Sequence, residues 1–533
     1  MEPDISLEMD GNMKKGNMFK VLIESGIIVI LILAVVLLAQ DIKRQKEEIE
    51  RKQCMQETKV VLYEGPKSLR DATEEDLKNA SEKGRSMELL HCTDTKLTVN
   101  GEECYVYDTN VNHTRQWVSN YLPPQSRTPV AYFDFEGMVQ ITVTVPNREL
   151  ESVRISPLSY GIKPVVDKEN KTVTFTISKP DTYTVTFHDS PERAIHIFAN
   201  ALETDVPDFE DENVIYIGPG EWDIESIVLE SGQTLYLSGG AVVHGVVNAN
   251  FAHDITVMGR GIIDGSCFEG WKGQNANIPL KFDYCSNITI KDVLVLNSNA
   301  WVCQAYNSSD GIIDGLKIIS SRPNGDGITL QSCQNYEVKN CFVRSWDDSL
   351  VIKNYDKNSE NISFRNIQLW TDLAQSMEVG YETNKGNKEG SYIRNITFGD
   401  ICVLNNFHKP VISVHNADDA AVEDILFENI VVENEQVGNG DGDEMPYLID
   451  LNIAQNGNWS TTKERGTISN ITIRNVDFLK GIPNASRIQG YDREHKVENV
   501  MIENLTMFGR KISDLQEGNF LIDEETTSDI LVR

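Results

Sequence analysis

The chain has 533 residues, enough for two to four structural units at about 150 residues each. Its 81 acidic and 49 basic residues leave a net charge of −32, which excludes a protein built mainly to hold nucleic acid, because phosphate binding depends on clustered Lys and Arg. A hydrophobic content of 40% supplies a large core, while 36 Gly and 9 Cys exclude collagen-like and disulfide-scaffold designs.

Residues 26–39 are all apolar, and the wider stretch 21–39, interrupted by Glu24 and Ser25, has 19 residues. That is close to the roughly 20 a helix needs to span a bilayer, so a transmembrane anchor is expected behind a cytoplasmic tail, 1–20. A cleaved signal peptide is the alternative; the long, partly acidic tail and the poor cleavage site Leu37-Leu38-Ala39 speak against it. Lys43, Arg44, Lys46, Arg51 and Lys52 after the span outnumber Lys14, Lys15 and Lys20 before it, so charge counting favours the opposite orientation. The remainder is nevertheless placed outside the cytoplasm, as a single-pass, membrane-anchored domain, because of the chemistry that follows. Residues 40–90 read as a polar stalk and linker. Cysteine forms no C-x-x-C pair; Cys92 and Cys104 are candidates for a bridge, and the rest read as scattered buried thiols.

Residues 91–205 carry short runs that alternate with period two, namely 139–145, 172–177 and 183–187, separated by Pro157, Pro164 and Pro180. They predict a small antiparallel β-sandwich.

From about 206 to 533 a different unit repeats: Asn or Asp, then two apolar residues around a variable one. Asp254-Ile-Thr-Val257, Asn287-Ile-Thr-Ile290, Asn361-Ile-Ser-Phe364 and Asn395-Ile-Thr-Phe398 are examples. Positions Ile288, Ile312, Tyr336 and Ile362 lie 24, 24 and 26 residues apart. Strand-rich repeats of this length predict an all-β solenoid, a parallel β-helix, in which Asn side chains bond from coil to coil. A β-propeller is the alternative, but it needs about 40 residues per repeat. The Asn-x-Ser/Thr matches then read as ladder positions rather than glycosylation sites.

One stretch concentrates acids: Arg322-Pro-Asn-Gly-Asp-Gly-Ile328, then Ser345-Trp-Asp-Asp-Ser349. Asp326 and Asp347 are 21 residues apart, about one coil, so the solenoid brings Asp326 beside Asp347 and Asp348. Like charges so close raise at least one pKa, and a protonated acid beside ionised partners is the equipment for splitting a glycosidic bond. Turn punctuation by Asp and Gly, and calcium binding by clustered carboxylates, are the competing readings.

These residues resemble those of the polygalacturonase family and its dextranase and isopullulanase relatives. Asn324-Gly325-Asp326-Gly327 is similar to the family's N-T-D-G motif, and Trp346-Asp347-Asp348 to its G-D-D motif. Gly259 to Gly265 and Asn297 to Trp301 resemble further landmarks. The resemblance implies a right-handed parallel β-helix and an inverting hydrolase of a polysaccharide or oligosaccharide. It implies Asp347 as the general acid, with Asp326 and Asp348 activating water, and no metal or organic cofactor. Asn324 belongs to the same motif and is expected to bind substrate.

The departures bear on substrate. Gln375 stands where the family has His, and no R-I-K motif is present. Without that cationic clamp, on a chain this acidic, an anionic galacturonan fits less well, and a neutral α-glucan becomes the alternative. Arg322, Arg344, Lys353 and Arg394 are candidate replacements for the clamp. Glu378 and Glu382 are candidates to bind sugar hydroxyls, and His415 to line the same cleft. Trp301, Trp346, Trp370 and Tyr381 are candidates to stack on sugar rings. A uronate lyase or a non-catalytic glycan-binding surface protein are the readings from other classes. Beyond the glycan and the membrane no partner is expected, nucleic acid included, and the catalytic domain is expected to be monomeric.

Overall fold

The computed structural model describes residues 58–78, 87–112, 125–188, 190–268, 277–387, 390–435 and 447–533, with isolated positions 37, 38 and 43. Among the described residues no helix is long and apolar enough to cross a membrane. The anchor expected over 21–39 falls outside them except for Leu37 and Leu38.

The first unit is two β-sheets closed on one core. One runs in the order 90–91, 106–111, 126–136, 195–200, 181–187, 153–156, with Lys59–Leu62 added against 126–136. The other runs 102–104, 96–99, 139–144, 172–177, 165–167. Along Val139–Thr144 and Thr172–Ile177 every second side chain is buried, as the period-two pattern requires. Val143, Val173, Phe133 and Ile197 meet between the sheets. Two features depart from expectation. Ile195–Asn200 pairs with Ser126–Glu136 in parallel, so the unit is not purely antiparallel. Lys59–Leu62, inside the expected linker, is an edge strand with alternating exposure. Cys92 and Cys104 are free buried thiols, not a bridge.

Among the described residues the second unit is a parallel β-helix whose sheet has 28 strands from Val214 to Val532, with Arg510–Lys511 paired antiparallel. Each coil contributes to three parallel ladders, and the apolar residues facing inward form one continuous core. Phe364, Phe398 and Phe427 stack in it at centroid spacings of 4.9 and 5.0 Å.

The corners explain the Asn/Asp signature. Asn335, Asn361 and Asn395 all have φ near +55°, a left-handed conformation that Asn and Asp tolerate better than other side chains. Their amides bond along the stack, Asn335 to Asp310 at 2.9 Å, Asn361 to Asn335 at 3.0 Å and Asn395 to Asn361 at 2.6 Å. A second such row lies five residues on, with Asn366 bonded to Asn340 at 2.7 Å and Asn475 to Asn429 at 3.0 Å.

The register differs from the expected one at a single coil. Ile288 pairs with Gly311, not Ile312, and Gly311 with Tyr336. The buried Tyr336 ring occupies the space a Cβ at Gly311 would need, while Ile312 points outward. Gly311→Ala is therefore expected to cost about 1–3 kcal/mol by overpacking, read as a lower urea midpoint with unchanged slope.

The sandwich covers the second ladder of the solenoid. Tyr107, Val130 and Phe198 pack on Ile262, Leu294 and Phe342. This is why runs such as 294–296 and 317–319 are buried on both faces and show no alternation.

Candidate active site

The third ladder faces away from the core without the sandwich over it, and the acids stand where it begins. Ile328 pairs with Leu350, and Leu350 with Met377. Main-chain bonds carry this register back through the preceding corner: Val302 N–H to Asp326 O at 2.9 Å, Gly327 N–H to Asp348 O at 2.8 Å, and Ser349 N–H to Gln375 O at 2.8 Å. Trp301, Asp326, Asp348 and Gln375 therefore occupy one position in four successive coils. Asp326 stacks on Asp348 rather than on Asp347, which stands one residue to the side.

Gly327 permits that stacking, because a Cβ there would strike the Ser349 carbonyl and Val343 of the next coil. Behind the acids runs a buried chain of hydroxyls: Ser345 to Ser349 at 2.7 Å, Ser349 to Thr371 at 2.7 Å, Thr371 to Ser376 at 2.8 Å. Ser376 donates onward to Asn406 at 2.8 Å. Ser345 also donates to the Asp347 carbonyl at 2.6 Å, so the acidic turn is tied down from below.

Asp347 accepts the backbone N–H groups of Asn324 and Asp348, both at 3.1 Å, and Asp348 accepts that of Gln375 at 3.1 Å. Burial pushes all three carboxyl pKa values up. For Asp326 the charge of Lys353 opposes this, while Asp347 and Glu382 add to it. For Asp347 the opposition comes from Lys353 and the two N–H groups. For Asp348 the charges of Asp347, Asp326 and Glu378 add to the effect of burial. The site thus favours a proton on its acids at a pH where an exposed Asp has none.

Lys353 is the cation among them, its ammonium 3.7 Å from Asp326, 3.3 Å from Glu382 and 5.1 Å from the centre of the Trp301 ring. Burial disfavours its charge, but Glu382 and Asp326 hold its pKa well above the ordinary value. The other candidate clamps lie elsewhere. Arg344 is fully buried against Asp372 under the sandwich. Arg394 pairs with Glu360 on the opposite side of the coil. Arg322 is buried beside Asp264 and donates to the Phe268 carbonyl, with its pKa pulled down to about 10 by burial.

Glu378 and His415 form the floor of the next coils. Glu378 is fully buried and pairs with His415 at 3.3 Å. Although burial opposes its charge, Glu378 and Asp450 raise the His415 pKa to about 10. His415 Nε2 lies 2.9 Å from Asp450, which Arg487 grips with two bonds of 2.9 and 2.8 Å. Tyr381 stacks on His415 at 4.3 Å and accepts a bond from the Gln375 amide at 3.0 Å. Asn324 contributes its backbone; its side-chain oxygen is buried without a hydrogen bond.

Of the aromatic candidates, Trp301 and Tyr381 are half-buried beside the acids, whereas Trp346 and Trp370 are buried and cannot reach a ligand. Asp450 and Arg487 were not foreseen. They follow an insertion in the sequence repeat, after which the repeat length no longer locates the next coil, and only the outward alternation within 449–453 marks Asp450. A separate trio, Cys92, Asp94 and Asp108, has ligand-like spacing, but the Arg193 guanidinium occupies it, 2.6 Å from Asp94 and 3.2 Å from Asp108.

The site is thus a corner of a parallel β-helix at which two buried aspartates stack coil on coil with a third beside them. The family described as Glycosyl hydrolases family 28 matches residues 227–518, more than half the sequence, and the chain belongs to that family. The chain is similar to a polygalacturonase of Chamaecyparis obtusa, 28% identical over 130 residues, which are 21% of this chain and 24% of that protein. It is also similar to a probable polygalacturonase of Vitis vinifera, 22% identical over 204 residues, 35% of this chain and 40% of that protein. The chain thus matches less than half the length of each. In overall fold it resembles Dex49A from Penicillium minioluteum, with a TM-score of 0.63 at 14% identity, over 89% of this chain and 98% of that one.

Proposed function

We propose that the protein is a glycoside hydrolase that cuts O-glycosidic bonds of a polysaccharide in one step, with inversion. The observation that carries this is the coil-on-coil stacking of Asp326 and Asp348 with Asp347 beside them. Asp347, the least buried of the three and raised in pKa, protonates the leaving oxygen. Asp326 and Asp348 share the positioning and deprotonation of water, and Lys353 favours the charged form of Asp326 against the effect of burial. Gln375 and His415 line the floor as sugar-binding groups, and Glu378, fully buried beneath, holds His415. A polysaccharide substrate also supports the reading of the domain as one that works outside the cytoplasm. The test is proton NMR of the first products: inversion yields the anomer opposite to that of the bond cut. An initial product with the original anomer would replace this mechanism with a covalent one.

A further inference from the structure

We infer that the units flanking the bond cut are neutral sugars, an inference that rests on the hydrolase reading and adds the substrate class. A uronate brings a carboxylate into the site and needs a cation, or well-placed donors, not already committed within the protein.

Among the described residues, three cations of the acidic cleft are each held by carboxylates of the protein itself. Lys353 lies between Asp326 and Glu382 at 3.7 and 3.3 Å. His415 lies between Glu378 and Asp450 at 3.3 and 2.9 Å. Arg487 is engaged by both oxygens of Asp450. A fourth, Lys409, sits near Asp347 and favours its charged form. Lys385 adds a fifth, 3.9 Å from Glu382, and facing these five stand six acids: Asp326, Asp347, Asp348, Glu378, Glu382 and Asp450. One more carboxylate would enter a cleft where like charge already pushes Asp326 and Asp348 toward protonation.

The uncharged lining fits a neutral pyranose. Trp301 precedes Asp326 in the same stack and presents a half-buried ring. On the other side Tyr381 and Gln375 offer a phenol, an amide and an aromatic surface for hydroxyls and the ring face.

The experiment compares reducing-end release by the full chain on polygalacturonate, on carboxyl-reduced polygalacturonate, which keeps the linkages but loses the charge, and on dextran and pullulan. The expected result is release from at least one neutral glycan at about ten times the polygalacturonate rate or more, lost in Asp347→Asn. Faster cutting of polygalacturonate than of every neutral glycan would overturn the inference and leave the hydrolase reading standing. No release from any of them, by wild type and Asp347→Asn alike, would overturn both. Glu382→Gln frees half of the Lys353 ammonium, and the ratio of polygalacturonate to neutral-glycan rates is expected to rise about tenfold in it. An unchanged ratio would overturn the argument from committed cations.

Discussion

Asp347→Asn is expected to lower kcat by about 10²–10⁴-fold, the usual worth of a positioned general acid. The carboxyl is fixed by two backbone N–H groups at 3.1 Å, one on each oxygen, and an Asn can accept only one of them, so the variant loses the proton together with one anchoring bond. The loss is expected to be smallest on aryl glycosides whose leaving group departs without protonation. Asp326→Asn and Asp348→Asn are expected to fall by a similar factor on every substrate, because the water must be activated whatever leaves. Combining those two is expected to cost little more than either, since they act on one water. Rates that fell equally on activated and unactivated substrates in all three variants would remove the distinction of roles.

The pH profile follows from the same geometry. Burial raises the Asp347 pKa, so the acid stays protonated to a higher pH than an exposed Asp, and the rate falls as pH rises through that value. On the acid side the rate falls as the last of Asp326 and Asp348 to be ionised takes up its proton. Asp347→Asn should lose the alkaline limb alone. Stability carries the opposite sign. Asp348 has a folded pKa well above its unfolded value, so its contribution is fully present below the unfolded value of about 3.9 and is lost as pH rises through the folded one. Asp348→Asn has no such proton to lose. Its stability at neutral pH, read in urea titrations, should exceed that of the wild type by on the order of 1–2 kcal/mol, a gain that shrinks on acidification.

Much of this site is legible in the sequence because a solenoid turns spacing into proximity. Asp326, Asp347 and Asp348 are brought together by a repeat that the Asn and Asp corners spell out. The single-residue error at Ile312 arose because Gly311 hides the core position: the pattern shows an apolar residue there only in the neighbouring coil, where Tyr336 reaches back to fill the gap. The competition among Arg322, Arg344, Lys353 and Arg394 was undecidable from spacing, since it depends on which face each strand turns outward. Lys353 ends a third-ladder strand and points into the cleft, whereas Arg344 is the penultimate residue of a second-ladder strand and points under the sandwich. Trp370 shares that fate: nothing in the sequence reveals that a second unit covers this face.

That covered face yields the largest expected loss of stability. Arg344 is fully buried, with bonds of 2.9 and 3.3 Å to Asp372, one of 2.9 Å to the Glu192 carbonyl of the sandwich, and its guanidinium 4.7 Å from the Trp370 ring centre. It also donates to His196 Nε2 at 3.2 Å, and His196 donates through Nδ1 to Thr184 at 3.0 Å. Burial and the Arg344 charge push the His196 pKa well below its ordinary value, which keeps the ring neutral and able to accept. Arg344→Ala strands the Asp372 carboxylate in the interface and is expected to cost about 3–5 kcal/mol. Arg344→Lys is expected to recover little, because an ammonium cannot serve Asp372, Glu192 and His196 from one plane. The double variant Arg344→Met with Asp372→Leu removes both charges and is expected to regain most of the loss in urea titrations. Ser345, the next residue, holds the Asp347 carbonyl, so Arg344→Ala should also lower kcat, and the double variant should restore rate and stability together. Recovery of stability without rate would show that the sandwich holds the fold but does not set the acid.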